Sequence, residues 1–291
     1  MEFNELNLTE LDKDLSEEQR KEWNAIYASY RAGSLLTGRV IGTDSISVDV
    51  KNDGTGRFEQ KNILCLVVIS YRVKILIPEN EIWFDPSEHR PPHVLRSMAG
   101  AVTDYVITGI DRENECCTAS RRRALQIRRR AFLRLAPKPG RRVECLVTAV
   151  GQHKMLCNCG GFDVTLDAKD VSYAMINDLR EHFRTGDTKE AVVKSYDPES
   201  GTLRISVKEA QPHPFDGAEA RHPLHSRRAS VITGKYSGGV FCRLEDNLDC
   251  LCSYSPEQYD EDFRIGDRVI IAVTKYSYLK KLVYGKILAK W

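Results

Sequence analysis

Between Ser120 and Arg142 stand ten bases and no acid: Arg121, Arg122, Arg123, Arg128, Arg129, Arg130, Arg134, Lys138, Arg141 and Arg142. Guanidinium groups at that density suit phosphate, because each presents a rigid fork of donors that matches it in shape and charge. The plain alternative is a solvated helix face, but ten bases without one acid exceed what solubility requires. Arg121, Arg122, Arg128 and Arg129 are therefore the candidate contacts to a polyanion. The opening 22 residues have the reverse character, with eight acids against Lys13, Arg20 and Lys21, so the formal net charge of +2 hides a strong asymmetry.

Other reactive side chains form no site. Cys157 with Cys159, and Cys250 with Cys252, are each one residue apart, which on a strand puts both thiols on one face. Structural zinc uses wider spacing and a distant second pair, so these read as buried reduced thiols and no metal is expected. The seven histidines are scattered, and the chain has no Gly-x-Ser-x-Gly and no phosphate loop. His213, His222 and His225 gather in a stretch expected to be exposed linker. The reading is a non-enzymatic chain without catalytic residues or cofactors.

The basic run sits between regular elements that the sequence also marks. Ser16 with Gln19 three residues later is a capping box, Trp23, Ile26, Tyr27 and Tyr30 recur at i, i+3, i+4 and i+7, and Gly33 ends the run. This predicts one amphipathic helix packed on the first of several β units. The small β unit recurs three times along the chain. Arg184-Thr185-Gly186-Asp187 precedes a strand ending at Tyr196-Asp197 and then Gly201 to Lys208, and Arg264-Ile265-Gly266-Asp267 precedes a strand ending at Tyr276 and then Leu279 to Lys286. A repeated small unit sets the architecture. The divisions are an acidic segment with its helix at 1–33, a first repeat at 34–125 with an insertion, and a basic helical linker at 126–139. A second repeat at 140–210, a linker at 211–226 and a third repeat at 227–291 complete the chain.

Three segments in order give the repeats a family. Val73-Lys74-Ile75-Leu76-Ile77-Pro78-Glu79-Asn80-Glu81-Ile82, Thr118-Ala119-Ser120-Arg121-Arg122-Arg123-Ala124 and Gln211-Pro212-His213-Pro214-Phe215 resemble the strand-three, repeat-closing and inter-repeat segments of the S-one-type RNA-binding domain. That domain is the OB-fold module repeated in the largest protein of the bacterial small ribosomal subunit. The resemblance implies an all-β fold with minor α: three tandem five-stranded OB-fold barrels preceded by an N-terminal helix. It also implies single-stranded RNA as partner, bound by aromatic rings that stack on bases at about 1–3 kcal/mol each and by cations along the backbone.

By that resemblance the third repeat carries the fuller site. Tyr236 and Phe241 approximate the family's aromatic pair, with Arg243 beyond them. Ser253 stands where the family has His, with Tyr254 beside it, Tyr276 replaces its Asp, and Lys280 and Lys281 occupy the place of an Arg. In the second repeat His153 and Lys154 fall at the first aromatic and its Gly, while Asp197 and Arg204 match the closing hairpin. The first repeat has no such pair and reads as scaffold. The process implied is translation or another RNA transaction. Docking as a protein-interaction scaffold on the small ribosomal subunit or another RNA-processing machine stays open, as does oligomeric state.

Nine cysteines, an odd number with several in apolar runs, and an N-terminus without a basic start and apolar core point to a reducing, cytoplasmic setting. The longest apolar run, Ile63 to Ile69, is strand length against the ~20 residues of a membrane helix, so no membrane partner is expected.

Overall fold

The computed structural model describes residues 16–51, 58–70, 73–174 and 176–291. The acidic residues from Glu2 to Asp14, and the turn read at Asn52 to Gly56, lie outside the described residues. The first helix, α1 (Glu17–Ala32), begins at the Ser16 capping box and stops where Gly33 turns left-handed at φ 68°. Its stripe packs on the first barrel through Trp23, Ile26 and Tyr27 as the spacing predicts, but Tyr30, expected in the same stripe, is exposed.

A hydroxyl ties α1 to the barrel. Buried Ser29 donates through Oγ to the Ser34 carbonyl at 2.7 Å and accepts the Ile107 backbone N–H at 3.0 Å. Ser29→Ala strands that N–H in an apolar site, and a loss of about 1–3 kcal/mol in urea unfolding is expected.

The first repeat is a closed barrel of β1 (Leu36–Lys51), β2 (Phe58–Ser70), β3 (Val73–Pro78), β4 (Val102–Asp111) and β5 (Cys116–Ser120), in the order β1-β2-β3-β5-β4. A parallel ladder, Lys74 opposite Cys116 to Leu76 opposite Thr118, closes it. The expected insertion is the β1–β2 hairpin, whose pairing runs out to Lys51 opposite Phe58, together with the segment between β3 and β4 that carries α2 (Pro92–Ser97). Next comes α3 (Arg121–Arg134), which starts directly at the end of β5 with Ser120 as its cap; the basic helix is thus five residues longer at its N-terminus than the 126–139 linker expected.

The second repeat contains β6 (Arg142–Val150), β7 (Lys154–Cys159), β8 (Phe162–Asp167), β9 (Thr188–Asp197) and β10 (Thr202–Ser206), ordered β10-β9-β6-β7-β8. Its strand order is that of the barrels, but among the described residues no β8–β10 ladder closes it. The third repeat, β11 (Arg227–Tyr236), β12 (Gly239–Leu244), β13 (Asp249–Ser253), β14 (Arg268–Ser277) and β15 (Leu282–Lys290), closes again through parallel β13–β15 pairing.

One wiring recurs in all three. Val147 N–H donates to Asp187 and Gly186 N–H to Val147, as Ile232 does to Asp267 and Gly266 to Ile232, and as Val40 does to Ala101 and Gly100 to Val40. Gly100, Gly186 and Gly266 hold φ of 91°, 95° and 96°, a region that suits glycine, which explains the recurring Gly-Asp pair in the sequence. Residue contacts gather the described residues up to Leu166 with Asp178–Ile205 into one compact unit, and Asp167–Asn177 with Ser206–Trp291 into another. No helix among the described residues is long and apolar enough to cross a membrane.

The 211–226 stretch is not a free linker. Phe215 and Ala218 are buried in the third barrel's core, and His222 is only 7% exposed, its Nε2 2.8 Å from Asp246. His213 lies against Tyr173 with ring centroids 4.2 Å apart and accepts the Phe215 N–H at Nδ1. The expectation of solvated histidines holds for His225, which is exposed, and fails for His213 and His222 because the stretch is drawn in by the apolar area of Phe215.

Candidate nucleic-acid interface

The β11–β12 hairpin builds the aromatic part of the site. Tyr236 pairs with Gly239 at its tip, and a bulge between Ile232 and Gly234 sets the register that brings Phe241 alongside. The two rings stand 5.4 Å apart, tilted by 31°, with Tyr236 44% exposed. Arg243 follows two residues later on the same face of β12, at the distance dictated by strand alternation, and its Nε donates to Asp249 at 3.1 Å.

Beside the pair opens a cleft of about 470 Å³ lined by Lys235, Tyr236, Ser237, Gly238, Gly239, Ser253, Tyr254 and Asp260. Tyr254 is stacked on Phe263 at 5.3 Å and donates its hydroxyl to Asp260. Lys235 Nζ reaches the Asp260 carboxylate at 2.8 Å. Hydrogen bonds from Lys235 and Tyr254 hold the Asp260 carboxyl below the usual carboxylate range, while burial and the Asp260 hydrogen bond push the Tyr254 hydroxyl above its usual value. Tyr254 was legible only as the neighbour of Ser253, and Asp260 carried no local signal.

One of the third repeat's expected contacts needs revision. Tyr276 is not presented outward: its ring packs against the barrel core and its hydroxyl donates to the His222 carbonyl. Stacking by Tyr276 is withdrawn, because the pinned 211–226 stretch takes its polar end. Lys281 is exposed at the β14–β15 turn, with Nζ 3.6 Å from Asp216. In the second repeat His153 and Lys154 are exposed at the β6–β7 turn and Arg204 is exposed on β10. Asp197 braces its own turn by accepting from Glu199 and Ser200.

The arginine helix departs furthest from expectation. Arg121 is 1% exposed, and its guanidinium makes a bidentate pair with Asp163 of β8, both bonds at 2.7 Å. It also donates to the Ile82 carbonyl and to Thr103 Oγ1. Arg122 pairs with Glu81, and Arg128 pairs with Asp104 at 2.6 Å. Arg129 lies between two rings, 3.5 Å from the Phe84 centroid and 4.3 Å from that of Phe162, and donates to the Gly161 carbonyl. Phe132 then meets Phe162 edge-on, and Phe162 meets Tyr196 likewise. Arg121 and Arg129 thus fasten the first barrel to the second sheet, while Arg122 and Arg128 hold α3 to the first barrel. Among the other bases of α3, Arg123, Arg130 and Arg134 are exposed at i, i+7 and i+11 on one face, and Arg128 stays half-exposed beside Asp104.

The cysteine pairs lie as the spacing predicts. Cys157, Cys159, Cys250 and Cys252 are all buried, and the last two sulfurs are 3.6 Å apart. Burial pushes the Cys159 thiol up to about 12. No group of three or more His, Cys, Asp or Glu able to hold a metal occurs among the described residues.

No family model matches the chain. It is 29% identical over 122 residues to the small ribosomal subunit protein bS1 of Chlamydia muridarum, covering 40% of this chain and 21% of that protein. The bS1 of Rhizobium meliloti is 20% identical over 279 residues, 94% of this chain and 42% of that one. A 4-hydroxy-3-methylbut-2-enyl diphosphate reductase of Clostridium acetobutylicum is 24% identical over 208 residues, 65% of this chain and 30% of its own length. The chain therefore spans less than half the length of each of these relatives.

Proposed function

We propose that this chain, whose repeats are of the S-one type and similar to those of bacterial bS1, is a non-enzymatic single-stranded RNA-binding protein acting in translation or another RNA transaction. The observation that carries the reading is the Tyr236–Phe241 ring pair beside the 470 Å³ cleft, with Arg243 on the same strand face. Unpaired bases stack on such rings, whereas duplex bases are shielded from them. Phosphate contacts are assigned to Arg243, Lys281, Arg204, His153 and Lys154, and to the exposed Arg123, Arg130 and Arg134 in place of the four arginines buried or paired within α3. The small ribosomal subunit is the assembly that the bS1 similarity suggests as a site of action.

A labelled 20-mer RNA titrated across a salt series tests this. Engagement of the seven arginines and lysines named predicts a log–log slope of about −5, from roughly −0.7 per phosphate on a single strand. Tyr236→Ala and Phe241→Ala should each weaken binding about tenfold, the equivalent of one lost stacking contact. Absence of saturable binding at low salt would overturn the reading in favour of a protein-docking scaffold. The engagement of Arg121, Arg122, Arg128 and Arg129 with the protein itself is the observation that favours that rival.

A further inference from the structure

We infer that the cleft beside Tyr236 is a guanine-reading subsite, in which Asp260 accepts the N1–H and N2–H donors of the base; the inference rests on the RNA-binding reading above. The cation and the hydroxyl donor beside Asp260 are already engaged. Lys235 Nζ donates to the Asp260 carbonyl at 2.6 Å, to the Phe263 carbonyl at 2.8 Å and to the Asp260 carboxylate at 2.8 Å, which uses all three of its donors. Tyr254 gives its proton to the same carboxylate.

What the cleft offers a ligand is therefore acceptor capacity beside an aromatic platform. The Asp260 side chain is 61% exposed, and each of its oxygens accepts one bond while having lone pairs for another. It opens a short helical turn, Asp260-Glu261-Asp262, whose three carboxylates repel phosphate. The occupant must then bring an aromatic face and adjacent N–H donors without negative charge. Guanine has two neighbouring donors on its pairing edge, matched to the two oxygens of a carboxylate. Adenine and cytosine set an acceptor beside their amino group, and uracil has one N–H between two carbonyls. An arginine side chain of a protein partner shares the donor pattern, but the Tyr236 ring lining the cleft and the cleft's volume favour a base.

The test uses the full chain and labelled uridine 12-mers carrying one central guanosine, adenosine or inosine, read by fluorescence anisotropy. The guanosine oligomer should bind about tenfold tighter than the adenosine one, with inosine between them because it lacks the N2 amino group. Asp260→Asn should erase the guanosine advantage, bringing the guanosine and adenosine oligomers to within about twofold of each other whatever the change in overall affinity. An unchanged thermal melting curve for the variant separates lost reading from lost folding. Equal affinity for guanosine and adenosine, or a preference that survives Asp260→Asn, overturns the inference and leaves RNA binding standing. Competition by an arginine-rich peptide without any base preference overturns it in favour of a protein ligand. No binding to any oligomer overturns both readings together.

Discussion

Asp163→Asn is expected to destabilise the unit formed by the first barrel and second sheet by about 3–5 kcal/mol, the cost of removing one partner from a buried ion pair and leaving the other charged. The substitution is nearly isosteric, so the loss reports charge rather than volume. The remaining bonds of Arg121 go to the Ile82 carbonyl and Thr103, neither of which carries a charge to replace the lost carboxylate. Urea unfolding of the whole chain followed by tyrosine and tryptophan fluorescence should show an early transition absent from the parent. Arg123→Gln, on the exposed face of α3, should move the same transition by less than about 0.5 kcal/mol. Equal effects of the two changes would sink the account of α3 as an internal fastener.

The same pair gives a pH dependence with a definite sign. Burial by itself raises the Asp163 pKa, but the Arg121 charge, its hydrogen bonds and the Asn158 amide outweigh burial and hold the carboxyl below its ordinary 3.8. A carboxyl depressed in the folded state stabilises above the unfolded pKa and loses that contribution as pH falls through the folded value. The contribution is therefore fully present at neutral pH and disappears only below the ordinary carboxylate range. In Asp163→Asn this acid-sensitive component should be missing.

Gly161→Ala is the second large effect, at about 2–5 kcal/mol when left-handed strain and overpacking are added. Gly161 sits at φ 88° in the β7–β8 turn, and a methyl there would meet the Leu125 carbonyl at 2.7 Å, the Arg129 nitrogen at 2.8 Å and Arg128 Cβ at 2.9 Å. Two of those three are backbone atoms of α3, which cannot swing aside as a side-chain end would. The variant should show the same early transition as Asp163→Asn, while the unit that holds the third barrel unfolds as in the parent. A Gly201→Ala control has a comparable φ of 62° but open space around it, so it should cost only the strain. The difference between the two glycines isolates the contact with α3.

Much of the fold was legible because its signals are local. The capping box at Ser16 and Gln19, the aromatic spacing of Trp23 to Tyr30 and the stop at Gly33 each depend on neighbours within one or two turns, and α1 has those bounds. The recurring Gly-Asp pair marks one backbone hydrogen-bond arrangement in the second and third repeats, which Gly100-Ala101 makes in the first, and the repetition carried through to strand order. The Tyr236–Phe241 pair was also readable, since a hairpin of a few residues brings the rings together.

The arginine run marks the limit of that reading. Its composition alone is indistinguishable from a phosphate-binding helix, and its acids lie outside its own stretch: Glu81, Asp104 and Asp163 come from other elements. The fate of Tyr276 was hidden likewise, because the carbonyl that holds its hydroxyl belongs to His222, 54 residues away. By itself the sequence determined the helix and the repeated strands, set by dihedral preference and periodicity within short windows. Tertiary structure alone decided which charges face water. A salt bridge between Arg121 and Asp163, 42 residues apart, forms only after two repeats have folded against the helix between them, and removal from water then turns a binding residue into a structural one.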